Sequence, residues 1–316
     1  WGWFKGMYPS REITLYILKG MSRLTELNAV EYNQQEKEMQ MKALNFADKQ
    51  IQSDYESLQK IKNWQKNEIS PLEIEYLFVR SNYRDIPEPG SAREAIRYYT
   101  TLAEKQWSKQ SIYGKGEIAW LMWRNGKKEV AGDILAWLRR TATTSADKGM
   151  YWANNRRGTN SFASPIDTHC LLMAFFNEAA PDKLETDRMK QWLLSQKQTQ
   201  NWESVPATVN AIYALLLTGS DWLDTNNTCT ATWGKQTYST ANGESGTGYL
   251  KVTVPDERAT ASEGNAISIR KEGPAPAWGC RTAREPRPTA GRRVRSWWGC
   301  ARDCRCPRSH GRRRRR

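Results

Sequence analysis

Apolar side chains recur at helical spacing through most of the first 223 residues. From Trp192 to Leu223 the chain reads as the end of one helix, a short loop bearing Trp202, and a second helix. Ser204 stands where an N-cap belongs, Pro206 falls in the first turn and Gly219 closes the segment. Val209, Ile212, Leu215 and Leu216 form the apolar stripe of that helix. The same spacing predicts a helix after Ser10, with Ile13, Tyr16, Ile17, Met21 and Leu24 on one face, and another from Gln34 to about Lys60 carrying Met41, Leu44, Ile51, Tyr55 and Leu58. Further helices are predicted after Ser70, from Ser91 to about Trp107, over 114–125 closed by Gly126, over 127–141, after Ser164, over 182–197 and over 205–218. Ser70-Pro71-Leu72-Glu73 and Ser164-Pro165-Ile166-Asp167 each have the residues of a capping box, in which two side chains satisfy two orphan backbone N–H groups.

The starts at Ser164 and Ser204 lie 40 residues apart, and each follows a loop with aromatics: Tyr151 and Trp152 in one case, Trp202 in the other. Trp3 and Phe4 ahead of Ser10 make a looser third copy. Two helices per repeat of that length indicate a mainly α fold of stacked αα-hairpins, as an open solenoid or a closed α/α toroid, and periodicity alone does not separate the two. The pattern changes after Leu223. Residues 228–240, 247–255 and 265–271 alternate polar with β-branched or aromatic side chains, and Gly243, Gly246, Gly248 and Gly264 punctuate them. The expected organisation is therefore an incomplete α/α toroid over 1–223, the start of an antiparallel β-sandwich over 228–279, and a tail over 280–316.

Charge separates that tail from the rest. Cys280–Arg316 holds 14 Arg and no Lys against one Glu and one Asp, so it carries +12 of the net +14, and residues 1–279 carry only +2. Four of the six cysteines lie in the tail, and its one aliphatic side chain larger than Ala is Val294. Such a segment cannot bury a core and is expected to be disordered. Its composition, rich in Arg, Gly, Pro, Ala, Trp and Cys, matches GC-rich codons read out of frame. It is therefore not counted as an Arg-rich nucleic-acid arm. Cys300, Cys304 and Cys306 beside His310 lack the second well-spaced ligand pair of a zinc site. The chain opens WGWFKGM, with no initiator Met, signal peptide or apolar run of membrane-spanning length, and reads as an internal piece of something longer.

The remaining candidate chemistry is thin. Asp167, His169 and Cys170 cluster in sequence, but positions i and i+2 of a helix point apart, so Asp167 fits a helix start better and His169 a satisfied histidine. Glu117, Asp147 and Glu203 stand near expected loop ends and are read as solvated acids, not as the paired carboxylates of a glycosidase. Trp107, Trp120, Trp123, Trp137 and Trp192 lie on or beside apolar stripes and read as packing groups. Asn226-Asn227-Thr228 is a formal glycosylation sequon, and no phosphate loop, Gly-x-Ser-x-Gly elbow or His-Glu-x-x-His helix occurs. No catalytic, cofactor-binding or metal-binding residue is assigned, and no cofactor is expected.

Three sets of residues carry a resemblance. Trp1-Gly2-Trp3-Phe4-Lys5-Gly6-Met7 with Ser10, Ile13, Thr14, Tyr16 and Ile17 form the first. Ile166-Asp167-Thr168 to Phe176, Gln191-Trp192-Leu193-Leu194, Trp202-Glu203-Ser204, Thr208 and Ala211 to Leu216 form the second. Glu244-Ser245-Gly246-Thr247-Gly248-Tyr249 with Pro276-Ala277-Trp278-Gly279 form the third. In this order they resemble the C-terminal part of the bacterial alpha-2-macroglobulin family: its thioester-type helical domain followed by a β module. The resemblance implies a six-hairpin α/α toroid within a large endopeptidase inhibitor that traps proteases by rearranging after a bait segment is cut. It implies target proteases as partners, a periplasmic or envelope location, and membrane attachment only through an anchor upstream of this chain. It carries over no catalytic residue. The family's Cys-x-Glu-Gln thioester sequence does not occur: Cys170 is followed by Leu-Leu-Met and Cys229 by Thr-Ala-Thr. The expectation is a non-enzymatic scaffold. The rival readings are an α/α-toroid enzyme acting on polysaccharide or prenyl substrates, and a helical-repeat interaction module.

Overall fold

A computed structural model describes residues 1–146, 148–156, 164–197, 201–219, 228–233, 236–242, 252, 267–272, 278–282 and 296–300. The protein is mainly helical with a few small antiparallel sheets. It divides into two compact units, Trp1–Thr218 and Gly219–Arg316.

The first unit holds nine α-helices among the described residues: α1 (Arg11–Glu26), α2 (Gln34–Gln59), α3 (Pro71–Arg80), α4 (Arg93–Gln106), α5 (Ile112–Arg124), α6 (Lys128–Thr141), α7 (Pro165–Ala179), α8 (Lys183–Ser195) and α9 (Val205–Leu217). Their starts follow local chemistry. Ser70 and Ser164 accept from the backbone N–H of Glu73 and Asp167, whose carboxylates accept from the serine N–H in return. Ser204 accepts from Ala207 N–H at 3.2 Å. Asn33 and Glu36 make a further capping box at α2 that the sequence reading passed over. Gly126 and Gly219 follow α5 and α9 with φ of +76° and +116°, a conformation that glycine adopts without a Cβ penalty.

Odd and even helices differ in kind. Each of α1, α3, α5 and α7 packs on the next odd helix in the series, and each also carries the even helix that follows it. α5 is buried at every position from Tyr113 to Met122, and α7 at every position from Ile166 to Phe176. A helix apolar on all sides belongs inside. The even helices bury one face: α6 buries Ala131, Ile134, Leu135 and Leu138 and exposes charged residues opposite. The stripes of the two end helices are turned from their expected orientation. α1 buries Thr14, Leu15, Leu18 and Lys19, leaving Ile13, Tyr16, Ile17 and Met21 half-buried and Leu24 exposed. α9 buries Ala207, Ala211, Tyr213, Ala214 and Leu215, while Val209, Ile212 and Leu216 face outward. Periodicity finds a stripe but not the neighbour that covers it.

The segment between α6 and α7, expected to be a plain loop, contains a hairpin of β1 (Thr143–Ser145) and β2 (Gly149–Tyr151), paired from Thr143↔Tyr151 to Ser145↔Gly149. β2 lies on α8. Gly149 has φ +74°, and a Cβ there would stand 2.1 Å from the Arg188 carbonyl oxygen, so only glycine fits.

In the second unit β3 (Thr228–Trp233) lies between β4 (Gln236–Ser239) and β5 (Ile267–Glu272), with antiparallel registers Thr230↔Ser239 and Trp233↔Ile267. The expected strand at 247–255 falls outside the described residues, apart from Val252. β6 (Trp278–Thr282) pairs antiparallel with β7 (Ser296–Cys300), from Trp278↔Cys300 to Thr282↔Ser296. β7 lies in the tail expected to have no regular structure. A two-stranded ribbon needs backbone pairing and β-favouring residues rather than a core, and Ser296-Trp297-Trp298 supplies the latter. No described helix is long and apolar enough to cross a membrane.

Candidate functional site

Buried polar groups converge where the odd helices meet. α1 places Lys19 one turn after Leu15, on the same inward face. The ammonium donates to Glu75 Oε1 of α3 at 2.7 Å and to the Tyr113 hydroxyl of α5 at 3.2 Å. Glu117 lies one turn beyond Tyr113. Lys19, Glu75 and Glu117 are 4%, 1% and 1% exposed. Burial works against the Lys19 charge, but Glu75, with help from Tyr113 and Glu117, outweighs it and holds the ammonium above its usual range. Burial, then repulsion from Glu75, push the Glu117 carboxyl well above the carboxylate range against the pull of Lys19. The cluster therefore holds one ion pair, Lys19 with Glu75, and beside it Glu117, whose Oε1 has no hydrogen-bond partner.

One further turn along α1, Arg23 donates to Asn210 Oδ1 of α9, and its guanidinium lies 4.5 Å over the Tyr213 ring. Tyr213 donates its hydroxyl to Glu26. Asn210 in turn donates to Asp167 Oδ1 at 2.5 Å, the same carboxylate that caps α7. All five odd helices thus contribute to a polar chain running from Glu75 and Lys19 to Asp167 and Asn210. On the far side of α3, Asp48 of α2 accepts from Tyr76 at 2.6 Å and pairs with Arg80 Nε at 3.2 Å. Arg80 also donates to the Tyr83 and Ile86 carbonyls, shaping the loop beside a cavity of about 340 Å³ edged by Arg84, Glu88 and Arg93.

His169 stands apart from this chain. Its Nε2 bonds the Met189 carbonyl at 2.9 Å, its ring lies 4.3 Å from Trp192, and Nδ1 has no partner. Burial lowers its pKa to about 4 against the effect of the Met189 bond, so the ring is neutral and donates from Nε2. Cys170 is a buried free thiol pushed up by burial and by Asp167, the opposite of a reactive thiolate.

Of the acids read from sequence as solvated, Glu117 lies inside α5 and is buried, because α5 has neighbours on every side. Glu203 is exposed ahead of α9, and Asp147 lies outside the described residues. Asp167 caps its helix and His169 points elsewhere, in line with their positions at i and i+2. Trp120 packs 5.2 Å from Phe78 and donates to Glu178 at 2.6 Å. Cys304, Cys306, His310, Asn226 and Asn227 lie outside the described residues. The sequence reading missed Lys19, Glu75 and Tyr113. The available signal was a charge set within an apolar run: Glu75 in Ile74-Glu75-Tyr76-Leu77-Phe78, and Lys19 directly after Leu18.

Among the described residues, no group of three His, Cys, Asp or Glu is arranged to hold a metal ion. General acid–base chemistry needs a group within reach of a substrate proton. Glu75 and Glu117 are both shut off from solvent, and the Lys19–Glu75 pair neutralises charge and ties α1 to α3. Neither a protein-family model nor a curated protein matches the chain.

Proposed function

We propose that the chain is a helical scaffold domain, followed by the start of a β-sandwich module, of a bacterial alpha-2-macroglobulin-like endopeptidase inhibitor. In this reading α1, α3, α5, α7 and α9 form the inner ring of an α/α toroid and the even helices its outer layer. The observation that carries it is the return of the last helix to the first. α9 meets α1 through Arg23–Asn210 and Glu26–Tyr213, whereas an open solenoid keeps its terminal repeats apart. The residues that resemble the family, from Trp1-Gly2-Trp3-Phe4 to Pro276-Ala277-Trp278-Gly279, supply the functional class.

The domain acts by holding its shape while the larger inhibitor rearranges around a target protease in the periplasm or cell envelope, and it contributes no catalytic residue. A toroid enzyme acting on polysaccharide needs two acids open to a cleft. Glu75 and Glu117 are closed off from solvent, and Glu75 is bound to Lys19, which favours the scaffold. The test uses the protein bearing this chain, incubated with trypsin and then assayed on casein and on a short chromogenic peptide. Trapping abolishes casein hydrolysis and spares the peptide. Casein hydrolysis at the uninhibited rate overturns the proposal.

A further inference from the structure

We infer that the α1–α9 contact is the seam at which the helical unit opens, a polar latch made by Arg23, Glu26, Asn210 and Tyr213. This inference rests on the ring arrangement proposed above and is independent of protease inhibition.

The α3–α5, α5–α7 and α7–α9 junctions are close and mainly apolar, with Asn210–Asp167 as the polar contact between α9 and α7. Phe78 of α3 packs 5.2 Å from Trp120 of α5. Gly116 of α5 lets α7 approach so nearly that a Cβ there would stand 2.8 Å from Leu172 Cδ2. Ala207, Ala211 and Ala214, each 0% exposed, give α9 a flat face against α7. The α1–α9 junction differs in both respects. Their backbones do not run closely along one another, and what joins them is two hydrogen bonds and the Arg23 guanidinium over the Tyr213 ring. Water reaches its rim: Glu26 is exposed, Arg23 and Asn210 are half-buried, and Tyr213 is buried behind them.

The energetics of opening follow from that difference. Separating an apolar junction exposes hydrocarbon to water at about 25 cal/mol per Å². Separating a hydrated polar contact exchanges protein hydrogen bonds for water ones, at about 0.5–1.5 kcal/mol each. The polar seam therefore opens first. The contacts also set which helix goes with which. Lys19 stays bound to Glu75, so α1 remains with α3, and Asn210 stays bound to Asp167, so α9 remains with α7. The latch thus divides the ring at one point and leaves both sides intact.

Hydrogen exchange of the full chain tests this, comparing wild type with Arg23→Met, Tyr213→Leu (which removes both the ring under Arg23 and the hydroxyl on Glu26) and the double variant, and wild type in low salt with wild type in 1 M NaCl. Amides of 19–26 and 207–216 should exchange about tenfold faster in the variants and faster in high salt, with 116–122 and 166–176 unchanged. A double-mutant cycle on thermal unfolding is read alongside. Zero coupling between Arg23 and Tyr213 means that α1 and α9 do not meet, and the ring arrangement falls. Coupling without local acceleration leaves the ring standing and overturns the latch. If the variants do not fold, the salt series decides: acceleration confined to α1 and α9 supports the latch, and a uniform or absent change overturns it.

Discussion

α7 and α9 are similar in composition and opposite in circumstance. α7 is buried at every position from Ile166 to Phe176. α9 turns four aliphatic side chains to water: Val205 is 78% exposed, Val209 52%, Ile212 49% and Leu216 45%. α7 has α5 on one side, α9 on the other and α8 outside it. α9 has α7 on one side and a polar seam with α1 on the other. Burial in a hairpin array is therefore a property of position in the series, not of the helix itself, since each member depends on its neighbours for cover. A substitution that is lethal in the middle of the array should be mild on the outer face of its last member.

The largest expected effect lies in α7. Leu172 is fully buried against Gly116 of α5, and Leu172→Lys places an unpaired ammonium in that junction, so the folded state should lose about 5 kcal/mol or more. Circular dichroism should find no cooperative melt for this variant. A near wild-type melting temperature would mean that α7 has an open face and that the contrast with α9 is false.

The end helix α1 is held by charge where α7 is held by packing, and removing that charge should come next in size. Lys19→Ala strands Glu75 and Glu117 beside each other without a cation, at a cost of about 3–5 kcal/mol by urea denaturation. Lys19→Ala combined with Glu75→Gln should recover part of the loss, because Glu117 then faces no second carboxylate. Equal losses for the single and double variants would show that the pair is not coupled.

How far these contrasts could be read in the sequence depends on their range. Caps at Ser70, Ser164 and Ser204 were legible because each is complete within four residues. The helices themselves were legible because a period of 3.6 is written into each segment. The burial of Glu117 was not: it comes from α5 having neighbours on every side, and from Lys19 lying 98 positions earlier in the chain. Nor was the outward turn of Val209 and Ile212, since the three alanines that replace them at the interface look neutral in a hydropathy pattern. The β1–β2 hairpin was missed for a similar reason, since Gly149 is fixed by the Arg188 carbonyl of a distant helix.

Acidification should separate the middle of the array from its end more gently. His169 of α7 has its pKa lowered to about 4 from an ordinary 6.5 by burial. Between those values the unfolded chain binds a proton that the folded protein refuses. The stabilisation is complete above pH 6.5 and is lost as pH falls toward 4, by on the order of 3 kcal/mol. His169→Gln keeps a donor for the Met189 carbonyl and should flatten this part of the profile. An unchanged slope between pH 6.5 and 4 would place the responsible group elsewhere, and following the melting temperature across that window decides it.

The smallest effect is expected on the outer face of α9, where it matters most to the comparison. Ile212→Lys removes a side chain already 49% exposed, and lysine is at least as good a helix former as isoleucine, so stability should change by no more than about 0.5 kcal/mol. Val209→Lys, one turn away, should behave alike. Together the two changes should reduce binding of a hydrophobic dye to the folded protein, because Val205, Val209, Ile212 and Leu216 lie on one side of the helix and make a single apolar strip. The outcome has a direct reading against Leu172→Lys. If lysine is tolerated at 212 and not at 172, the exposed strip plays no part in holding the helical unit together, and the cost of a charge follows a helix's neighbours rather than its composition. If lysine at 212 unfolds the protein as readily, that face of α9 is covered in solution and α9 is an interior helix like α7.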